Sequence, residues 1–185
     1  MTITLIGMPG SGKTCMGRML SKKLQMKVVD GDKLIETVYG MKLHEIIEKE
    51  GLDGFKKIEE ETLLSIEEDN IIITPGGSAV YYDSVMRKFK ERGAVVYLYT
   101  SPETIIERLG DFSKRGVVLE EGKTLHDLYA ERAPLFERYA DITINCDGNA
   151  FARYRYVTCN EVTKYIRKHS KSVEDNCASG KTTNN

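Results

Sequence analysis

Residues 3–14 read Ile3-Thr4-Leu5-Ile6-Gly7-Met8-Pro9-Gly10-Ser11-Gly12-Lys13-Thr14. An apolar run passes directly into G-x-x-x-x-G-K-[ST], and a helical stretch follows. A buried strand feeding a helix is the context in which this motif carries meaning. The glycines leave the turn bare, so consecutive backbone N–H groups can point inward and wrap a phosphate. Lys13 offers a mobile point charge to β/γ oxygens, and Thr14 offers a hydroxyl to phosphate-bound Mg2+. The expected triphosphate-binding residues are therefore Gly10, Ser11, Gly12, Lys13, Thr14 and Cys15. A chance glycine-rich turn would not hold strand, loop and helix in register.

Working outward, strand-like runs occur at 3–6, 27–30, 70–74, 94–99 and 141–145. Most are short and almost uninterrupted in apolar character, as in strands buried on both faces of a parallel sheet. Helical stretches at 13–24, 32–39, 42–50, 53–68, 82–92, 102–109, 124–139 and about 149–168 lie between and after them. This alternation predicts a doubly wound α/β fold, with ligands at the carboxyl ends of the strands. A chain of 185 residues, 41% hydrophobic and 30% charged, is long enough for one domain with a sizeable core.

The net charge of −1 leaves no footprint for nucleic acid or an anionic membrane. No apolar stretch approaches the ~20 residues of a membrane span, and no basic leader precedes the first strand, so a cytoplasmic protein is expected. Cys15, Cys146, Cys159 and Cys177 form no C-x-x-C pair and lie apart from the three histidines, which argues against a disulfide framework or zinc site. From about Ser170 the chain is polar and aperiodic, and 170–185 is expected to be a disordered tail.

The strand ends carry the chemistry. The second strand ends in Asp30-Gly31-Asp32. One carboxylate can stand near Mg2+ through water, while the other faces a substrate hydroxyl as acceptor or general base. Helix capping by Asp32, ahead of Lys33-Leu34-Ile35-Glu36, would account for one aspartate and not both. The third strand, Ile71-Ile72-Ile73-Thr74, lacks the usual metal-binding Asp, which makes Asp30 the natural outer carboxylate. After it, Pro75-Gly76-Gly77-Ser78 leaves bare backbone against which a ligand can pack. The segment Gly110-Asp111-Phe112-Ser113-Lys114-Arg115-Gly116 reads as a mobile basic lid, with Arg115 placed to bring a guanidinium onto the transferring phosphoryl group. Arg108 is a candidate for stacking on adenine. Pro134, inside helix 124–139, predicts a bend that turns Arg132 toward the cleft.

These pieces, in this order, resemble the shikimate kinase family of small P-loop kinases. The resemblance spans roughly residues 1–168. It rests on Gly7 to Thr14, Asp30-x-Asp32, Gly51-x-x-x-Phe55-Lys56-x-x-Glu59, Gly76-Gly77-x-Ala79-Val80, Val96-Tyr97-Leu98, Arg115 and Arg132-Ala133-Pro134-Leu135-Phe136. It implies a three-layer fold with a five-stranded parallel sheet and a mobile lid at about 110–122. It also implies one domain over 1–169, acceptor-binding helices within about 32–62, and a monomer.

The implied activity is ATP-dependent phosphorylation of a hydroxyl on a small hydroxy-carboxylate, shikimate first, with Mg2+ as cofactor. Lys13, Asp32 and Arg115 would be catalytic, Thr14 and Asp30 would serve the metal, and Arg108 and Arg115 would contact ATP. Asp32, Lys56, Gly76, Gly77 and Arg132 would bind the acceptor. The chain departs from the family pattern at three places: Lys56 stands for arginine, Ser78 for the third glycine, and Gly116 for proline. These fall on the acceptor side and the lid. The rival readings are a relative acting on homoserine or gluconate, and a nucleotide-binding module that transfers nothing.

Overall fold

The computed structural model describes residues 1–110, 122–147, 159–166 and 168. Five strands, β1 (Thr2–Ile6), β2 (Lys27–Asp30), β3 (Ile71–Thr74), β4 (Gly93–Tyr99) and β5 (Ile142–Asn145), form one sheet in the order β2-β3-β1-β4-β5. Every pairing is parallel. The helices are α1 (Lys13–Leu24), α2 (Gly31–Tyr39), α3 (Leu43–Leu64), α4 (Asp83–Arg92), α5 (Pro102–Leu109) and α6 (Leu125–Tyr139), and residues 159–166 are also helical.

Side-chain alternation along the strands builds three layers. Ile3, Leu5, Ile72, Val96 and Leu98 face α1 and the 159–166 helix, meeting Met16, Leu20 and Val162. Ile6, Ile71, Ile73, Val95 and Tyr97 face the other way, onto Leu63, Phe89, Ile105 and Phe136. The expectation of strands buried on both faces holds for β1, β3 and most of β4. It fails for β2 and β5, which are partly exposed because each has a neighbour on one side only.

The expected helical stretches 42–50 and 53–68 are the two runs of α3, which breaks between them at Gly51 with φ 71° and ψ 173°. The second run ends at Leu64, short of the expected residue 68. The buried residues of α3 are Ile46, Glu59, Thr62 and Leu63, so the stripe admits a carboxylate that apolar periodicity passes over. α6 runs as one helix through Pro134, and its Arg132 lines the cleft. Its start is set by Thr124, whose Oγ1 accepts from the Asp127 N–H (3.2 Å) while Asp127 accepts from the Thr124 N–H (2.8 Å). Of the expected lid at about 110–122, residues 111–121, Arg115 among them, lie outside the described residues, as does the 170–185 tail.

α1 can lie close to the sheet because Gly17 has no side chain: a Cβ there would sit 2.8 Å from Thr74 Cγ2. Gly17→Val should therefore lift α1 off β3 and destabilise the protein by about 1–3 kcal/mol, as overpacking does. A urea unfolding midpoint equal to wild type would contradict this packing.

Candidate active site

At the carboxyl ends of β1, β2 and β3 the chain leaves a cleft of about 1220 Å³. The strand order reverses direction around β1, which is where open α/β sheets part to receive ligands. One half of the cleft is built by the loop between β1 and α1. Gly12 caps α1 at φ 97°, a left-handed conformation that glycine adopts without strain, and no side chain caps the helix. No acidic residue stands in the first turn. The first N–H groups of α1 thus point into the cleft with the positive end of the helix dipole, as an anion site requires. Lys13 Nζ donates to the carbonyls of Gly7 (2.8 Å) and Met8 (3.0 Å), which holds the ammonium along the loop's inner rim.

The two aspartates are divided by their neighbours. Asp30, and not Asp32, is the helix cap: its Oδ1 accepts from the Lys33 N–H at 3.3 Å. The reason is that α2 begins one residue earlier than expected, at Gly31, which moves the cap back to the last residue of β2. Asp30 Oδ2 also accepts from Thr14 Oγ1 (3.3 Å) and Thr74 Oγ1 (3.4 Å). The β2–β3 register sets Asp30 beside Thr74, so this oxygen cluster follows from the sheet itself. Asp32 lies inside the first turn of α2, relieved of capping, and lines the cleft.

Burial dominates the electrostatics. It draws the Lys13 ammonium down to about 8, with Asp32 pulling it back up and Arg132 pushing it further down. It pushes the Asp32 carboxyl up to about 6, reinforced by Asp30 and opposed by Lys13. An ammonium and a carboxylate that feel each other's charge, both shifted toward neutrality, are the pattern of a site prepared for proton and charge transfer.

The other half of the cleft is built by α3, the turn after β3, and α6. A Cβ on Gly76 would stand 2.8 Å from Glu59 Oε1 and 3.0 Å from Asp32 Oδ1, so the bare backbone fits between two carboxylates. A Cβ on Gly77 would stand 3.0 Å from Arg132 Nη1, which brings that guanidinium against the turn. Arg132 donates from Nε to Tyr81 Oη (3.1 Å) and lies over the Tyr81 ring, 5.1 Å from its centre. Lys56 lines the cleft edge, where its ammonium pairs with Asp53 (3.4 Å). Glu59 is 2% exposed and accepts from Ser78 Oγ (2.6 Å) and Tyr82 Oη (2.7 Å). Burial and the neighbouring Glu59 raise the Tyr82 phenol, so it stays a donor.

Of the sequence candidates, Gly10, Gly12, Lys13, Thr14, Cys15, Asp30, Asp32, Lys56, Gly76, Gly77, Arg108 and Arg132 line this one cleft. Ser11 is buried beneath the loop at 3% exposure. Arg108 donates from Nη2 to the Cys146 carbonyl (2.6 Å), which ties it to the chain just after β5. Sequence reasoning assigned no role to Glu59, Tyr81 or Tyr82. Glu59 was visible as a carboxylate beside an apolar stripe, but its partners lie 19 and 23 residues away.

Against known proteins, the family described as shikimate kinase matches residues 9–168. A shikimate kinase of Francisella tularensis subsp. novicida is 35% identical over 150 residues, covering 79% of this chain and 85% of that protein. Among solved structures, shikimate kinase from Acinetobacter baumannii in complex with shikimate superposes with a TM-score of 0.80 at 31% identity, covering 91% of this chain and 93% of that one. Shikimate kinase from Aquifex aeolicus gives a TM-score of 0.78 at 26% identity, over 92% and 98% of the two chains.

A carboxyl whose pKa is raised from 3.8 to about 6 on folding opposes folding wherever it is ionised. Stability should therefore fall as pH rises through this interval, since the folded state there holds more protons. Asp32→Asn should remove that loss: above pH ~6 the variant should be more stable on the order of 2 kcal/mol, and below pH ~4 the two should coincide. Urea titrations at the two pH extremes check it; an equal gap at both would mean that Asp32 is not desolvated.

Proposed function

Because this chain belongs to the shikimate kinase family, we propose that it transfers the γ-phosphoryl group of ATP to a hydroxyl of shikimate, the 3-hydroxyl as in the family. The observation that carries the reading is that Lys13 and Asp32 line one cleft, with Lys56, Gly77 and Arg132 on its far side. A module that merely held nucleotide would have no use for this second, cation-edged half.

The triphosphate lies along Gly10 to Cys15, its charge met by the first N–H groups of α1. Lys13 exchanges its two carbonyl partners for the β/γ oxygens. Arg132, braced by Tyr81, and Lys56 take the acceptor carboxylate, and the Gly77 N–H adds a donor. Arg132 provides a planar fork, whereas Lys56 provides one rotatable ammonium. Asp32 accepts the hydrogen bond of the acceptor hydroxyl and removes its proton as the alcohol oxygen attacks the γ-phosphorus in line. Arg115, from the lid, adds charge to the transferring group, and a closed lid keeps water from taking its place.

The hydroxyls of Thr14 and Thr74 both lie within 3.4 Å of Asp30 Oδ2, a set of hard oxygens suited to Mg2+. Among the described residues no three His, Cys, Asp or Glu side chains cluster as a metal cage, in keeping with a cation that retains waters and phosphate oxygens. Thr14 would bind it directly and Asp30 through water; when bound, it neutralises charge on the β/γ oxygens. The substrates are small molecules, and no helix among the described residues is long and apolar enough to cross a membrane.

Lys13→Ala and Asp32→Ala should each lower turnover at least about a hundredfold in a coupled ADP assay with shikimate. Near-normal turnover in either variant refutes its role. In the same assay shikimate should outpace homoserine and gluconate; a reversed order would reassign the acceptor.

The pH dependence should report the same pair. For the free enzyme, kcat/KM for ATP should fall as pH rises through about 8, where Lys13 loses its proton. With ATP bound, kcat should rise through about 6 as Asp32 ionises, and its alkaline limb should move upward because phosphate favours the ammonium. Both limbs belong to the coupled pair. A flat acid limb would remove Asp32 as the base.

A further inference from the structure

Lys56 and Ser78 are two of the places where this chain departs from its family's pattern, and they sit on either side of Glu59. Lys56 and Glu59 are three residues apart on α3, close enough for their side chains to meet. Yet Glu59 is occupied elsewhere: Ser78 Oγ donates to Oε1 at 2.6 Å and Tyr82 Oη to Oε2 at 2.7 Å. Both bonds are short and charge-assisted, and the carboxylate they hold is 2% exposed. Lys56 instead pairs with Asp53 at 3.4 Å, with 57% of its own side chain and 95% of that of Asp53 exposed. Such an exposed pair is readily given up.

We propose that Ser78 is a positioning residue for Lys56: by holding Glu59, it leaves the ammonium one turn away free to swing from the rim onto the acceptor's carboxylate. The inference rests on the reading of Lys56 as part of that clamp. A guanidinium at position 56 could contact an inward carboxylate and a substrate together through separate N–H groups. An ammonium is a compact point charge, and Glu59, if released, would compete with the acceptor for it. The hydroxyl at position 78 removes the competitor. The two departures therefore work as a pair.

The test is a double-mutant cycle on the full chain, reading KM for shikimate, KM for ATP and kcat. Ser78→Ala should raise KM for shikimate about fivefold while kcat and KM for ATP change less than twofold. Ser78→Thr, which restores the hydroxyl, should return KM to near wild type. In a Lys56→Met background Ser78→Ala should have no further effect, because its action runs through the ammonium. Should Ser78→Ala fold poorly, as judged by its Tm, Ser78→Gly takes its place in the cycle.

An unchanged KM in the position-78 variants, a fall confined to kcat, or additive effects in the double variant would overturn the proposal while leaving shikimate phosphorylation in place. If Lys56→Met leaves KM for shikimate unchanged, Lys56 is no clamp and the proposal falls without the kinase reading. If wild type releases no ADP with shikimate, both fall.

Discussion

The structure depends on keeping an ammonium and a carboxylate in one desolvated cleft without letting either settle. Lys13 sits at the start of α1 and Asp32 in the first turn of α2, both at strand ends of the same sheet. Burial moves their proton affinities toward each other, to about 8 and about 6, and each charge partly offsets the other's cost. A cavity that raises the energy of isolated charges favours groups that neutralise those charges when they arrive. The residues that hold this arrangement stabilise the fold elsewhere; the pair itself does not.

The surrounding architecture supplies rigidity at two scales. The β2–β3 register sets Asp30 against Thr74, and the cap on α2 fixes the same side chain from the other side, so one carboxylate serves the helix and the oxygen cluster together. On the other side of the cleft, close approach adds to direct bonding. Gly76 and Gly77 lack the atoms that would push Glu59, Asp32 and Arg132 apart, and Tyr81 steadies Arg132 by a hydrogen bond and by its ring face. The half of the cleft built by the β1–α1 loop is made largely of backbone and the half built by α3 and α6 largely of side chains.

Glu59 illustrates how a departure can be absorbed. A buried carboxylate must be fully partnered, and Ser78 and Tyr82 partner it from the chain after β3. A change at position 78 is therefore felt at α3, and a change at position 56 is felt through whatever Glu59 is doing. Positions 22 residues apart in the chain become neighbours in effect because one buried charge lies between them.

What was legible in the chain alone was whatever depends on local spacing. The strand–glycine loop–helix unit at 3–14, the five strands and the helix starts at Lys13 and Pro102 were all readable there, whereas the grouping of Asp32, Lys56 and Arg132 came from the resemblance to the family. Local rules cover the former because backbone sterics, helical periodicity and turn chemistry act over a few residues. Other features were decided only by tertiary contact. Asp30 rather than Asp32 caps α2, because the β2–β3 pairing and the packing of Gly31 against Leu63 and Pro75 set where that helix begins. Glu59 is buried because two hydroxyls from after β3 meet it there. Hydrogen-bond partners and desolvation come from residues far along the chain, and no periodicity within a segment encodes which of its polar groups will meet them.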